Sequence, residues 1–160
     1  MSKADMFLSV VGTTQGAVKG ESVDAVHVDQ IEVLHWAWGM RGADLSGTAS
    51  GKWSFQELQV RKRVDFSTIG LYNALRNNEP LKKVVLSVRK SGGEPLDYFI
   101  ITLEKARITS IVSQASSGEH PEELVEQVNF ACRKVGVEYK KQRPDGQLAG
   151  GGSFDAEINT

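Results

Sequence analysis

The 160-residue chain reads as a mainly β protein with one short α-helix. Apolar residues alternate with period two over most of its length, one stretch alone stands out with helical spacing, and Gly-rich or Asn/Asp-rich turns punctuate the alternation. At this length a single domain spanning 1–160 is expected, with a core large enough to need neither metal nor disulfide. Nineteen Lys and Arg against 20 Asp and Glu give a net charge of -1, so no basic field is offered to nucleic acid or to an anionic membrane. The single cysteine, Cys132, cannot form an intrachain disulfide, which fits a reducing compartment. The apolar run Met6 to Val11 is too short for a signal-peptide core and follows Asp5, and no run has the length of a membrane span. Any export is therefore expected without a signal peptide.

Met6 to Val11 reads as the first strand, followed by a Gly-punctuated loop, Gly12 to Gly20. A phosphate-cradling loop of the P-loop type needs four residues between its glycines and then Gly-Lys-Ser/Thr. Here three residues separate Gly12 from Gly16 and Lys19 precedes Gly20, so nucleotide binding is not expected. Val26 and Val28 lead into the next strand with His27 and Asp29 at alternate positions. His-x-Asp could supply two metal ligands, but no further His or Cys lies nearby, and the pair is read as solvated.

Ile31 to Met40 holds two of the three tryptophans on one face, Leu34, Trp36, Trp38 and Met40. The opposite face, Ile31, Val33, His35 and Ala37, is nearly as apolar, so both faces call for cover. Two fully buried indoles would contribute on the order of 7–12 kcal/mol gross. The stretch is either the central strand of a barrel or sandwich, or a strand with one face in its own core and the other partly against a second subunit. The loop after it, Arg41 to Lys52, exceeds ordinary hairpin length and is a candidate contact arm. Trp53 and Phe55 then open a strand whose apolar pattern changes phase at Leu58, Val60 and Val64, predicting a bulge or cover on both faces.

The helix is predicted after Asp65, with Asp65 or Ser67 as N-cap, Ile69, Leu71, Tyr72 and Leu75 at helical spacing, and Asn77 to Pro80 as the stop. Gly70 weakens it by about 1 kcal/mol relative to alanine. Leu81 to Lys90 is strand, Ser91 to Pro95 a hairpin turn, and Leu96 to Val112 alternates for seventeen residues. At about 3.3 Å each these would outreach the domain, so a corner is expected at Glu104 to Arg107. Ser113 to Pro121 is a polar loop. Leu124 to Tyr139 fits either a helix or strands and is assigned as strand, with Cys132 a small buried apolar residue. From about 146 a flexible C-terminal tail is expected, with one last short strand, Phe154, Ala156 and Ile158, as the alternative.

No catalytic pattern surrounds His27, His35 or His120, and the adjacent Glu122 and Glu123 would point opposite ways on a strand. No catalytic residue, cofactor or metal is expected.

Taken together, Asp5-Met-Phe-Leu8, Lys19-Gly-Glu-Ser22, Asp24, His27, the strand with Ile31, Val33, Trp36 and Trp38-Gly39, and Arg89-Lys-Ser-Gly-Gly-Glu94 with Tyr98, Ile100, Ile101 and Leu103 resemble the haemolysin co-regulated protein (Hcp) family, the tube protein of type VI secretion. Asp65, Ser67 and Leu71 match that family's Asp-x-x-Ser-Pro-x-Leu helix start loosely, without the proline. The resemblance implies a two-sheet β-barrel with one short α-helix, assembled as a homohexameric ring whose rings stack into a tube. It further implies a spike and contractile sheath as partners, effectors in the lumen, assembly in the bacterial cytoplasm and delivery through the secretion machine. Asp44, Leu45, Ser46 and Lys52 are candidate ring-stacking residues, and Trp36 and Trp38 mark a core or assembly strand. The rival reading is a monomeric β-barrel that binds a ligand.

Overall fold

The computed structural model describes residues 5–43, 53–90, 96–115, 123–142 and 148–158. In chain order they form β1 (Met6–Gly12), β2 (Gly16–Ala17), β3 (Ile31–Glu32), β4 (His35–Ala37), β5 (Met40–Arg41), β6 (Ser54–Phe55), β7 (Leu58–Arg63), α1 (Ser67–Arg76), β8 (Leu81–Arg89), β9 (Asp97–Ala115), β10 (Leu124–Gln142) and β11 (Leu148–Glu157). The expectation of a mainly β fold with one short helix holds. All strand pairs are antiparallel, and they run β2-β1-β8-β9-β10-β7-β4, with β11 added to β10 and β3 to β1. β5 and β6 pair separately as a two-stranded ribbon.

The Ile31 to Met40 stretch is not one strand. Its first half pairs with β1 and its second with β7, and the change falls between two residues: the Val33 amide donates to the Met6 carbonyl at 3.0 Å, the Leu34 amide to the Arg61 carbonyl at 2.8 Å. The buried face changes phase at the same point. Ile31 and Val33 are buried, then Trp36 and Trp38 pack partly on the core while His35 and Ala37 face water. Both indoles are half-buried, so they contribute less than full burial would.

β9 and β10 are each nineteen residues long and form the spine of the sheet. β9 bends where expected. Lys105 has φ 53° while the register is the same on either side of it, Glu104↔Lys134 and Ala106↔Cys132, and the buried set moves there from Ile101 and Leu103 to Ala106 and Ile108. The ambiguous Leu124 to Tyr139 segment is strand. Where a flexible tail is expected, residues 148–157 form β11, which pairs with the C-terminal half of β10. The phase change between Trp53 and Leu58 also appears, as a break between β6 and β7.

The helix departs from expectation in which face it buries. Ser67, Thr68, Leu71 and Ala74 face the sheet, whereas Ile69 and Tyr72 point outward. The cap position itself is Phe66, and the Asp65 carboxylate accepts from the Ser67 amide at 2.9 Å and from the Ser67 hydroxyl. Asn78 at φ 50° ends the helix, its amide and that of Glu79 returning to the Leu75 and Ala74 carbonyls. Gly70 has a spatial reason: a Cβ there would stand 3.0 Å from Val18 and 3.2 Å from Gln15. Its helix-weakening effect is the consequence of close packing on the β1–β2 turn.

Under α1 lies an ionic cluster in which Lys62 and Glu126 are fully buried and Asp65 partly so. Lys62, on the inward face of β7, places its Nζ 3.1 Å from Asp65 Oδ1, 3.4 Å from Glu126 Oε1 and 3.5 Å from Thr68 Oγ1, and Lys62 and Glu126 are 0% and 1% exposed. The Thr68 hydroxyl donates to Glu126 and accepts from the Asp65 amide. Three elements are joined through one ammonium. Removing Lys62 leaves the buried Glu126 carboxylate without a cation, so Lys62→Met should lose about 3–5 kcal/mol in urea unfolding. The double change Lys62→Met with Glu126→Leu should lose much less.

Candidate assembly surface

Within the Gly12 to Gly20 stretch, residues 13–15 turn tightly from β1 into β2, where Gly16 adopts φ 75°. The Thr14 and Gln15 amides both donate to Glu79 Oε2 at 3.0 Å, and the Gln15 side chain reaches Glu79 and the Gly70 carbonyl. The N–H groups that could have cradled a phosphate hold the chain's own carboxylate instead.

His27 is not on a solvated strand. It lies in a turn, 5% exposed, with Nε2 3.0 Å from Asp97 Oδ1 and Nδ1 3.0 Å from Gln30 Oε1, its ring stacked on Phe7 at 4.5 Å. Val26 and Val28, expected as the strand's apolar positions, face water. On the same Phe7 ring sits the Arg89 guanidinium, 5.0 Å from its centroid, paired with Asp24 and with Asp5 at 4.0 Å. This cluster ties the 20–30 segment to the β8–β9 hairpin. Among the described residues no group of three or more His, Cys, Asp or Glu is placed to hold a metal. His35 is exposed on β4, Glu123 is exposed, and His120 and Glu122 lie outside the described residues. Cys132 is half-buried, and burial pushes its thiol up to about 11, which makes it a poor nucleophile.

Trp36 stacks on Phe99 at 5.8 Å, and Trp38 meets Phe55 at 6.2 Å at the root of the β5–β6 ribbon. The Trp38 indole N–H is buried and, among the described residues, has no acceptor. The sequence brings the two indoles to one edge of the core, but with different roles: Trp36 closes over β9, while Trp38 is the hinge from which the ribbon departs. Met40 and Trp53 are each 42% exposed on that ribbon, and Trp53 meets Phe55 edge-on at 5.1 Å. The candidate stacking residues Asp44, Leu45, Ser46 and Lys52 lie outside the described residues.

Sequence reasoning missed the outward side of α1, where Phe66 and Ile69 are 71% and 65% exposed. Its signal was present. Phe66, Ile69 and Tyr72 repeat every third residue, a second apolar stripe beside Leu71 and Ala74.

An antiparallel β core with large apolar side chains left in water offers surface for contact with other chains. The chain belongs to the Hcp family of type VI secretion: residues 7–139 match the family described as type VI secretion system effector, Hcp. It is 36% identical over 152 residues to protein hcp1 of Pseudomonas aeruginosa, covering 92% of this chain and 90% of that protein. Its fold is similar to that of a type six secretion system protein (TM-score 0.83, 24% identity, 96% of both chains). It is also similar to a type VI secretion system effector from Yersinia pestis (TM-score 0.74, 24% identity, 96% of this chain and 100% of that one). Members of the family are structural rather than enzymatic.

The Arg89 side chain, as hydrogen-bond donor, holds the Asp24 carboxyl down at about 2 from its ordinary 3.8. A depressed carboxylate contributes stability above its unfolded value and loses it as pH falls through the folded one. Asp24→Asn should therefore cost about 1–3 kcal/mol near pH 7, with the gap to the unaltered protein closing between about pH 4 and 2 when urea midpoints are compared.

Proposed function

We propose that the chain is a tube subunit of a type VI secretion system. Six copies form a ring, rings stack into a tube, and a contractile sheath drives the tube and its spike into a target cell with effectors in the lumen. Subunits assemble in the cytoplasm and leave through the machine itself. The observation that carries this reading is the family match across residues 7–139 together with 36% identity to protein hcp1 over nearly the whole chain.

The geometry supports it in two ways. The Ile31 to Ala37 run pairs with β1 at one end of the strand path and with β7 near the other, so the path is one pairing short of a barrel wall, and we read the sheet as a barrel closed by this run. A closed wall leaves few open edges and gives the rigid unit that a ring of subunits needs. The β5–β6 ribbon then stands off that wall with Met40 and Trp53 in water, and the loop it carries, with Asp44, Leu45, Ser46 and Lys52, makes the ring-on-ring contact.

Negative-stain images of the purified protein should show six-fold rings, and a monomer in light scattering at micromolar concentration would overturn the reading. Deleting Ala43 to Ser50 should leave rings intact on a sizing column while abolishing tubes. Unchanged tube formation would refute the role given to the loop.

A further inference from the structure

The outward stripe of α1 is tied to its surroundings by hydrogen bonds and by the anchored start of the helix. The Tyr72 hydroxyl bonds Ser113 Oγ at 2.9 Å, the Phe66 amide donates to the Glu21 carboxylate at 2.6 Å, and the helix start is anchored on Lys62 through Asp65 and Thr68. Phe66, Ile69 and Tyr72 are 71%, 65% and 42% exposed. With large side chains spanning about 150–250 Å² each, they leave roughly 350 Å² in water. A standard interface takes about 800 Å² per partner, a little over half of it apolar. The stripe supplies most of that apolar share for one side.

A second apolar cluster lies at the other end of the β9–β10 pair. Phe154 sits directly across from Val137, one diagonal step from Tyr139, and the Tyr98 ring meets Tyr139 edge-on at 6.4 Å. Tyr139 and Phe154 are 47% and 42% exposed. Ser113, beneath the stripe, pairs with Glu126, and Tyr139 lies thirteen residues farther along β10. That is about 40 Å of strand, so one chain cannot cover either patch with the other.

Resting on the reading of the chain as a ring subunit, we infer that these patches are the two halves of one contact: the α1 stripe of one copy packs against the Tyr139–Phe154 end of the next. Two different patches at opposite ends of the same strand pair make a head-to-tail interface. Such an interface passes from copy to copy and forms a ring when the rotation between copies closes, whereas a patch that met itself would stop at a dimer.

Directional cross-linking tests this. In a Cys132→Ser background, Ile69→Cys combined with Phe154→Cys should give, on oxidation, a ladder of disulfide-linked species on a non-reducing gel. Ile69→Cys alone and Phe154→Cys alone should give none. Separately, Ile69→Glu, at a side chain mostly in water, should keep the circular dichroism spectrum and melting temperature while raising the concentration needed for rings by tenfold or more. Should Phe154→Cys not fold, Tyr139→Cys takes its place.

Light scattering of the unaltered protein is the reference. If it forms no rings, the tube reading fails. If it forms rings but the double variant gives no ladder, or Ile69→Cys alone gives dimers, or Ile69→Glu assembles normally, the paired-patch interface is wrong while the tube reading stands.

Discussion

Two adjacent amide hydrogens, those of Val33 and Leu34, fix how the sheet is arranged. One is given to β1 and the other to β7, so a single short run holds two regions of the chain that are otherwise reached from each other only through β8, β9 and β10. A strand that shares its amides between two neighbours must bury side chains on a changing face. The shift from Ile31 and Val33 to Trp36 and Trp38 is that change, and bulky indoles suit it because they cover core residues from a position at its margin. Beyond Gly39 the run no longer has a neighbour in the large sheet, and it pairs with the returning Ser54–Phe55 as a free ribbon.

The buried polar groups sit where loops or the helix join this sheet. Glu79 closes the β1–β2 turn against the end of α1, Arg89 and His27 clamp the 20–30 segment over Phe7, and Lys62 holds the start of α1 to β7 and β10. Each cluster satisfies directional groups that apolar packing could not orient. A buried ion pair is a poor source of net stability compared with apolar residues of the same shape. What it supplies here is position: α1 is only ten residues long, below the length at which a helix holds itself, so its placement depends on contacts with the sheet. That dependence explains how a short helix can carry three exposed apolar side chains without turning them inward.

Several elements were legible in the residues themselves. The bend near Lys105 follows from a run too long for the domain, the helix limits follow from Asp65 and Asn77–Asn78, and strand was the right choice for Leu124 to Tyr139 because its end alternates strictly. Others were not. His27 and Asp29 alternate with valines, and period two cannot say which phase faces the core, so the pattern reads the histidine as solvated whereas Phe7, Asp97 and Gln30 draw the imidazole in. Lys62 occupies an inward position of β7 that no local pattern would give to a lysine, because its partners Asp65 and Glu126 come from a turn and from a strand sixty-four residues away.

The sequence by itself determined the class of the protein, since alternation, turn chemistry and the order of its motifs are local properties written residue by residue. Tertiary structure alone decided which strand face is buried, which side of α1 meets water, and that Ile31 to Met40 is shared between β1, β7 and a ribbon. Those choices depend on partners distant in the chain. A periodic pattern states that a face exists, whereas only the assembled sheet supplies the surface that face is pressed against or the water it is left to meet.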